Sequence, residues 1–536
     1  MAGQRSDCSA MLTYKPRRPK RAAYPSAKGV IVSSFISQPP RPLYTADQAG
    51  DIDRRTIAAG TDGFALMQRA AAGAWQHLRT RWPEARALSL LCGGGNNGGD
   101  GYVIAALAAQ AGLAVQCLAL KPVEALAGDA ARAAAMARAA GVPVEEWQEG
   151  SSLCGEVVVD AMLGTGLGGE VRGAYRRAIE AVNQAGKPVL AVDVPSGLAA
   201  DSGALLGGAV RADATVTFIA DKIGLYTGQA PDHVGEVAFC PLGVNARAQS
   251  DIVPRGVLLD ERQLTEAFTP RRRTAHKGDM GHVLVLGGAP GMGGAALIAS
   301  QAAARLGAGK VSLATAPEHV AASLIRCPEV MAHGVRGGAD LAGLVEQSDV
   351  LVVGPGIGQG AFGQAMLAAA LESDRPLVVD ADALNLLAER FAGERRENWV
   401  LTPHPGEAGR LLGMNAAEVE ADRPATAEAL GRRYGGYSVL KGAGTLTAGP
   451  GGLGVCPYGN PGMASGGMGD ALAGMLGALC GQRGMDDDSI RLGVLVHALA
   501  ADMAARRHGE RGLLASDLAS CARRLINPGS DNLQSR

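Results

Sequence analysis

Short, almost uninterrupted apolar runs alternate along this chain with stretches whose apolar positions recur at helical spacing. Ala87–Cys92 and residues 113–120, 156–160, 188–193 and 214–220 form one series of such runs. Runs this short and this apolar are expected of parallel strands covered on both faces, because a sheet with one wet face would alternate apolar with polar positions. Residues 45–72 read as helical and alanine-rich, and 102–110 as the helix after the first strand. Residues 241–256 are polar and irregular and read as a linker. The alternation then resumes. His282–Leu286, 311–316, Val350–Val353, Leu377–Val379, Trp399–Leu401 and 438–440 read as strands, with helices at 295–306 and 469–479. The pattern predicts two α/β domains in series, each on a parallel sheet, and their unlike motifs exclude an internal duplication.

A length of 536 residues agrees with two domains. Apolar residues make up 47% but aromatics only 4%, so alanine, valine and leucine must fill both cores. A formal net charge of −1 argues against chain-wide attraction to nucleic acid or membrane. The nine cysteines are odd in number, scattered and without a C-x-x-C pair. They form neither a disulfide framework nor a zinc spacing, and a reducing compartment, the cytoplasm, is expected. No stretch is apolar for long enough to span a membrane. Residues 1–41 are basic, with Lys15, Arg17, Arg18, Lys20, Arg21 and Lys28 among proline and serine, and are expected to be a disordered extension.

Candidate chemistry gathers where strands end. After the first strand comes Gly93-Gly94-Gly95-Asn96-Asn97-Gly98-Gly99-Asp100-Gly101. A glycine loop before a helix suits an anion such as phosphate. Gly93, Gly95 and Gly98 fit G-x-G-x-x-G, but a dinucleotide-binding redox unit needs an acid at the end of its second strand, and here that strand ends Leu118-Ala119-Leu120-Lys121. Two further strand ends carry acids: Asp160 before Ala161-Met162-Leu163-Gly164-Thr165-Gly166, and Asp193 before Val194-Pro195-Ser196-Gly197. In a parallel sheet such ends converge on one site. The oxygen donors of Asn97, Asp160 and Ser196 suit a hard cation.

These three strings together resemble the NAD(P)H-hydrate epimerase domain, over roughly residues 42–243. The resemblance implies a Rossmann-like fold and interconversion of the two configurations at the hydrated nicotinamide carbon. It implies potassium held by Asn97, Asp160 and Ser196. Substrate would be lined by Asn96, Asn97, Gly98, Gly99 and Asp100, and by Gly164, Thr165, Gly166, Leu167, Gly168, Gly169 and Glu170. Asp193 would contact it and is the candidate catalytic acid or base, because inversion needs a proton moved at the hydroxyl.

After a linker at 244–258, residues 259–525 carry a second set of strand-end motifs, ahead of a tail at 526–536. They are Lys277-Gly278-Asp279-Met280-Gly281-His282, Gly354-Pro355-Gly356-Ile357-Gly358, Asp380-Ala381-Asp382-Ala383-Leu384-Asn385, Thr402-Pro403-His404-Pro405-Gly406-Glu407, Lys441-Gly442-Ala443-Gly444-Thr445 and Gly466-Gly467-Met468-Gly469-Asp470. Glycines just before a helix make an anion nest, and a carboxylate beside it can take a hydroxyl proton, which are the requirements of phosphoryl transfer. No Walker A string competes, since Gly307-Ala308-Gly309-Lys310-Val311 lacks the required spacing.

This half is similar to the ADP-dependent NAD(P)H-hydrate dehydratase, a ribokinase-like α/β domain. The resemblance implies hydrate contacts at Ala295, Gly356, His404 and Asp470, nucleotide contacts at Lys441, Gly442, Ala443, Gly444, Thr445 and Gly469, and Mg²⁺ with ADP. Asp470 is the candidate base: phosphorylation turns a poor leaving hydroxide into a phosphate, and elimination restores the nicotinamide ring. The competing reading is a ribokinase-like kinase of a vitamin precursor fused to a non-catalytic Rossmann-like binding module. The chain as read needs small molecules as partners and leaves room for self-association.

Overall fold

The alternation of apolar runs becomes two sheets in the computed structural model, which describes residues 41–244 and 246–527. The basic extension expected at 1–41 lies outside the described residues except for Arg41, as do residues 528–536 of the tail. The chain enters through a three-residue strand, β1 (Arg41–Leu43). The first sheet then uses β2 (Ala87–Cys92), β3 (Ala114–Ala119), β4 (Val144–Glu146), β5 (Val157–Ala161), β6 (Val189–Val192), β7 (Ala214–Phe218) and β8 (Glu236–Cys240). Their order is β4-β3-β2-β5-β6-β7-β8, and every pairing is parallel. The order reverses between β2 and β5, so a crevice opens at their carboxyl ends.

The second sheet uses β9 (Gly256–Leu258), β10 (His282–Leu286), β11 (Lys310–Thr315), β12 (Met331–Gly334), β13 (Val350–Val353), β14 (Leu377–Val379), β15 (Trp399–Leu401), β16 (Tyr437–Leu440), β17 (Thr445–Ala448) and β18 (Leu453–Cys456). Its order is β1-β9-β18-β17-β16-β15-β14-β13-β10-β11-β12. From β16 to β12 the strands are parallel, with the reversal between β13 and β10. Alanine-rich helices cover both sheets. Helix Gly293–Arg305 packs on helix Met468–Arg483, where a Cβ on Gly474 would stand 2.0 Å from the Ala299 carbonyl oxygen. Small residues let these helices approach closely, which is how so few aromatics suffice. Among the described residues no helix is long and apolar enough to cross a membrane.

Two sequence expectations change here. The stretch read as a linker, 244–258, ends in β9, and β1 at the start of the first half pairs antiparallel with it, Arg41 opposite Leu258. The chain's first strand is therefore an edge of the second half's sheet. Three residues carry no periodicity, and their pairing is decided by what lies beside them. The glycine motif is also less of a loop than expected. The helix runs Asn96–Gln110, so Gly98, Gly99 and Gly101 are inside its first turns. A Cβ on Gly98 would lie 2.0 Å from the carbonyl oxygen of Gly93, so the helix meets the strand end only without one.

Candidate active sites

The carboxyl ends of the first sheet frame a cleft of about 680 Å³. Asn96, Asn97, Asp100, Gly164, Thr165, Gly166, Leu167, Gly168 and Asp193 all line it. Gly98 and Gly99 do not; they are packed against Gly93 and Met67. Glu170 is turned to Arg172, 3.1 Å away, and Gly169 is likewise absent from the lining. Among the lining residues that the sequence reading did not single out are Asp53 of helix Ala46–Ala58 and Lys222 beyond β7. Neither belongs to a glycine-rich string, and nothing local marks them.

Lys222 is the consequential one. Its ammonium, almost wholly buried, donates to Asp193 Oδ1 at 2.5 Å, Thr217 Oγ1 at 3.0 Å and the Phe218 carbonyl at 2.9 Å. A lysine so enclosed and bonded to a carboxylate holds that carboxylate in one place. Asp100 faces the same cleft with the opposite character. Burial first, then the charges of Asp193 and Asp53, push its carboxyl well above the usual carboxylate range, with Lys222 offsetting only part. One cleft thus holds a lysine-paired carboxylate and a carboxyl that prefers its proton, a division of roles suited to acid–base work.

Behind the cleft wall lies an oxygen cluster. Asp160 is fully buried and accepts from the Ser196 hydroxyl at 2.6 Å, the Ser196 amide at 2.8 Å and the Met162 amide at 3.2 Å. Burial still pushes its carboxyl up to about 6 against those three bonds. The Asn97 amide donates to the Leu163 carbonyl at 2.9 Å, while its Oδ1 is buried with no donor facing it. Among the described residues no basic side chain pairs with Asp160. A buried carboxylate without a counter-charge, next to an acceptor without a donor, is costly unless a cation answers both. Asn97, Asp160 and Ser196 therefore fit a hard cation with oxygen ligands.

The second site is built around Lys441. Its ammonium donates to Asp380 Oδ1 at 2.7 Å and stands 3.8 Å from Glu407. Thr402 donates to the same Asp380 oxygen at 2.7 Å. Burial works against the charge on Lys441, but Asp380 and Glu407 outweigh it and its pKa is raised. Glu407 also closes a capping box with His404, accepting from the His404 amide at 2.8 Å. Burial and then Lys441 lower the His404 pKa, which keeps this imidazole neutral. Asp380 and Glu407 were not among the expected contact residues, although both stand in strings already picked out.

Helix Met468–Arg483 enters this site by its N-terminus. Gly467 has φ 90°, a conformation that suits glycine, and starts the helix with Met468, Gly469 and Asp470. A Cβ on Gly469 would lie 3.2 Å from the Lys441 ammonium and 3.5 Å from Asp380 Oδ2, so the nest and the lysine are neighbours. Burial, then Asp380, push the Asp470 carboxyl up to about 6, with Lys441 pulling the other way. Ala295 and Gly356 also meet: a Cβ on Gly356 would stand 3.2 Å from that of Ala295.

Backbone strain marks the same places. Among the described residues four non-glycines have positive φ: Asp193, Ile219, Leu242 and Ala381. The first three line the first cleft, and Ala381 sits between Asp380 and Asp382. Such conformations persist where surrounding structure over-determines them, and functional sites are where they gather.

Two family models match. Residues 63–224 match the model described as YjeF-related protein N-terminus, and residues 283–524 the model described as NAD(P)H-hydrate dehydratase. The chain is 47% identical to the bifunctional NAD(P)H-hydrate repair enzyme Nnr of Coxiella burnetii, over 91% of this chain and 99% of that one. It is 43% identical to the bifunctional NAD(P)H-hydrate repair enzyme Nnr of Escherichia coli K12, over 90% of this chain and 94% of that one. Among solved structures, the ADP/ATP-dependent NAD(P)H-hydrate dehydratase of Bacillus subtilis, co-crystallised with ATP/Mg²⁺, is 29% identical, with a TM-score of 0.44, covering 50% of this chain and 96% of that one.

Proposed function

This chain belongs to the family of bifunctional NAD(P)H-hydrate repair enzymes, and we propose that its epimerase and dehydratase activities reside in the two sites just described. It returns damaged NADH and NADPH to use by interconverting the R and S hydrates and dehydrating the S form. The observation that carries the assignment is a lysine-anchored carboxylate cluster at the strand ends of each half, Lys222 with Asp193 and Lys441 with Asp380.

In the first site Asp193, held by Lys222, takes the proton of the hydrate's hydroxyl as the bond between that carbon and the ring nitrogen opens to an aldehyde, and returns it when the nitrogen closes on the other face; Asp100 gives its proton to the departing nitrogen and recovers it on closure. Asn97, Asp160 and Ser196 hold the potassium ion, supported by the lone Oδ1 of Asn97 and the uncompensated Asp160 carboxylate. When bound, the ion supplies the missing positive charge and fixes the wall formed by Leu163 and Gly164.

In the second site Asp470 takes the hydroxyl proton of the S hydrate as the oxygen attacks the terminal phosphoryl group of ADP, whose bond to the bridging oxygen breaks to release AMP. The amides at Gly467, Met468 and Gly469 receive the charge that develops, and Lys441 lies beside them. The carbon–oxygen bond then breaks with phosphate as leaving group, the neighbouring ring carbon gives up a proton to solvent, and the ring double bond is restored. Mg²⁺, carried in on the nucleotide's phosphates, supplies charge neutralisation. Residues 441–445 contact the nucleotide, and Ala295, Gly356 and His404 the hydrate. A cytoplasmic setting is supported by nine scattered cysteines without a C-x-x-C pair.

The test is recovery of reduced-nicotinamide absorbance from mixed R and S NADH hydrate with K⁺, Mg²⁺ and ADP. Recovery of the whole pool is expected. Phosphorylation of a vitamin precursor with no recovery would replace this reading by the kinase.

A further inference from the structure

We propose that Thr227, a residue of the epimerase half, positions the dehydratase half's nucleotide loop at 441–445, acting together with Arg423. The inference rests on the reading that this loop contacts the nucleotide.

The loop is held from behind by its carbonyls. The Thr227 hydroxyl, fully buried, donates to the Gly444 carbonyl at 2.8 Å, and the next amide, of Gly228, donates to the Ala443 carbonyl at 3.2 Å. Within the loop the Thr445 hydroxyl donates to the Gly442 carbonyl at 2.8 Å, and Arg423 supplies further ties. Its guanidinium is 1% exposed and donates to the carbonyls of Leu440 at 3.3 Å and Lys441 at 3.1 Å, and its Nε donates to the Thr227 hydroxyl at 3.2 Å. Thr227 thus accepts from Arg423 and donates to Gly444, joining the halves in one chain of bonds. The fit is tight: at Gly444, φ 61°, a Cβ would lie 1.9 Å from the carbonyl oxygen of Tyr226.

What this leaves open is the amide side. Among the described residues nothing accepts a hydrogen bond from the amides of Gly442, Ala443 or Gly444, and Gly442 and Ala443 are exposed. Carbonyls tied on one side with amides unengaged on the other is the arrangement of a backbone cradle for anionic or acceptor groups. In a glycine-rich loop, that arrangement must be imposed from outside, because glycine restrains its own backbone least. Thr227 and Arg423 impose it, and the Lys441 carbonyl held by Arg423 belongs to the residue whose ammonium reaches Asp380.

The experiment uses full-length protein and S NADH hydrate, comparing wild type with Thr227→Val, Thr227→Ser, Arg423→Lys and Lys441→Ala. Each is assayed for dehydratase kcat, KM for ADP, ADP affinity by calorimetry, epimerase rate and Tm. Thr227→Val, losing one buried hydrogen bond to the loop, is expected to raise the KM and Kd for ADP by roughly 3- to 10-fold with kcat within twofold. The epimerase rate should stay at wild type, Thr227→Ser should restore ADP affinity, and Arg423→Lys should weaken ADP at least as much as Thr227→Val. A merely structural role would lower Tm and kcat together without that split, and serine would restore nothing specific to ADP; that result overturns the proposal. If Lys441→Ala weakens ADP while Thr227→Val does not, the proposal fails and the loop assignment stands. If neither changes ADP affinity, both fail.

Discussion

Lys222 and Asp193 stand on the loops after two adjacent parallel strands, β7 and β6, with Nζ and Oδ1 2.5 Å apart. The pair orients the one carboxylate of the cleft that also sits at positive φ, 67°. Replacing Lys222 by Met is expected to lower the epimerase rate by about 10²-fold or more, the usual scale for a lost acid–base arrangement. Dehydration of pure S hydrate should remain near wild type. Chiral separation of the hydrates during turnover checks this: a mixed pool should be repaired only to its S fraction. An epimerase rate at wild-type level would remove Lys222 from the site.

Asp470 gives a pH dependence with a definite sign. Its carboxyl is pushed up to about 6, and the base must be ionised, so dehydratase kcat is expected to fall as pH drops through about 6. Asp470→Asn should lower kcat by about 10²- to 10⁴-fold and abolish that limb of the profile. Stability moves oppositely. A carboxyl whose folded pKa is raised holds its proton better in the folded state. Its ionisation therefore costs stability as pH rises from the ordinary carboxylate range through about 6. Asp470→Asn should raise Tm at pH 7.5 relative to wild type and leave it unchanged at pH 4. Thermal melts at the two pH values decide it.

The cation cluster makes epimerisation depend on potassium. Exchanging KCl for choline chloride at fixed ionic strength is expected to slow the epimerase and leave the dehydratase's ADP-dependent rate unchanged. Asp160→Ala should abolish the potassium response, since the buried carboxylate is its charged ligand. An epimerase equally fast in choline would remove the ion from this site.

Packing at the glycine motif supplies a test of stability. A Cβ on Gly98 would lie 2.0 Å from the Gly93 carbonyl oxygen, a backbone atom that cannot swing aside. Gly98→Ala is expected to cost about 1–3 kcal/mol, the usual range for overpacking, and to lower Tm. Gly166→Ala is the control, because nothing lies within 4 Å of its Cβ position. Equal melting temperatures for the two variants would contradict the close approach.

The strand-end motifs were legible because parallel α/β chemistry concentrates in local strings: Asn97, Asp160, Asp193 and Asp470 each stand beside glycines after an apolar run. Lys222 and Asp53 were not legible. Each lies in an ordinary stretch, and each reaches the cleft only because β7 pairs with β6 and helix Ala46–Ala58 packs on Ile219 and Ala220 just after β7. The helix start at Asn96 was misplaced by six residues because glycines suggest a loop, whereas here they clear the way for close packing.

Two parallel-sheet halves and the strings at their strand ends are written locally, since apolar runs and glycine–acid turns act within a few residues. Which half each edge serves is settled in three dimensions. The fold placed β1 on the second sheet, put Lys222 against Asp193, and seated Thr227 behind the loop at 441–445, 217 residues ahead of its partner Gly444. Those relationships depend on backbone groups and buried charges finding partners far along the chain, and no local pattern encodes which partner is nearest.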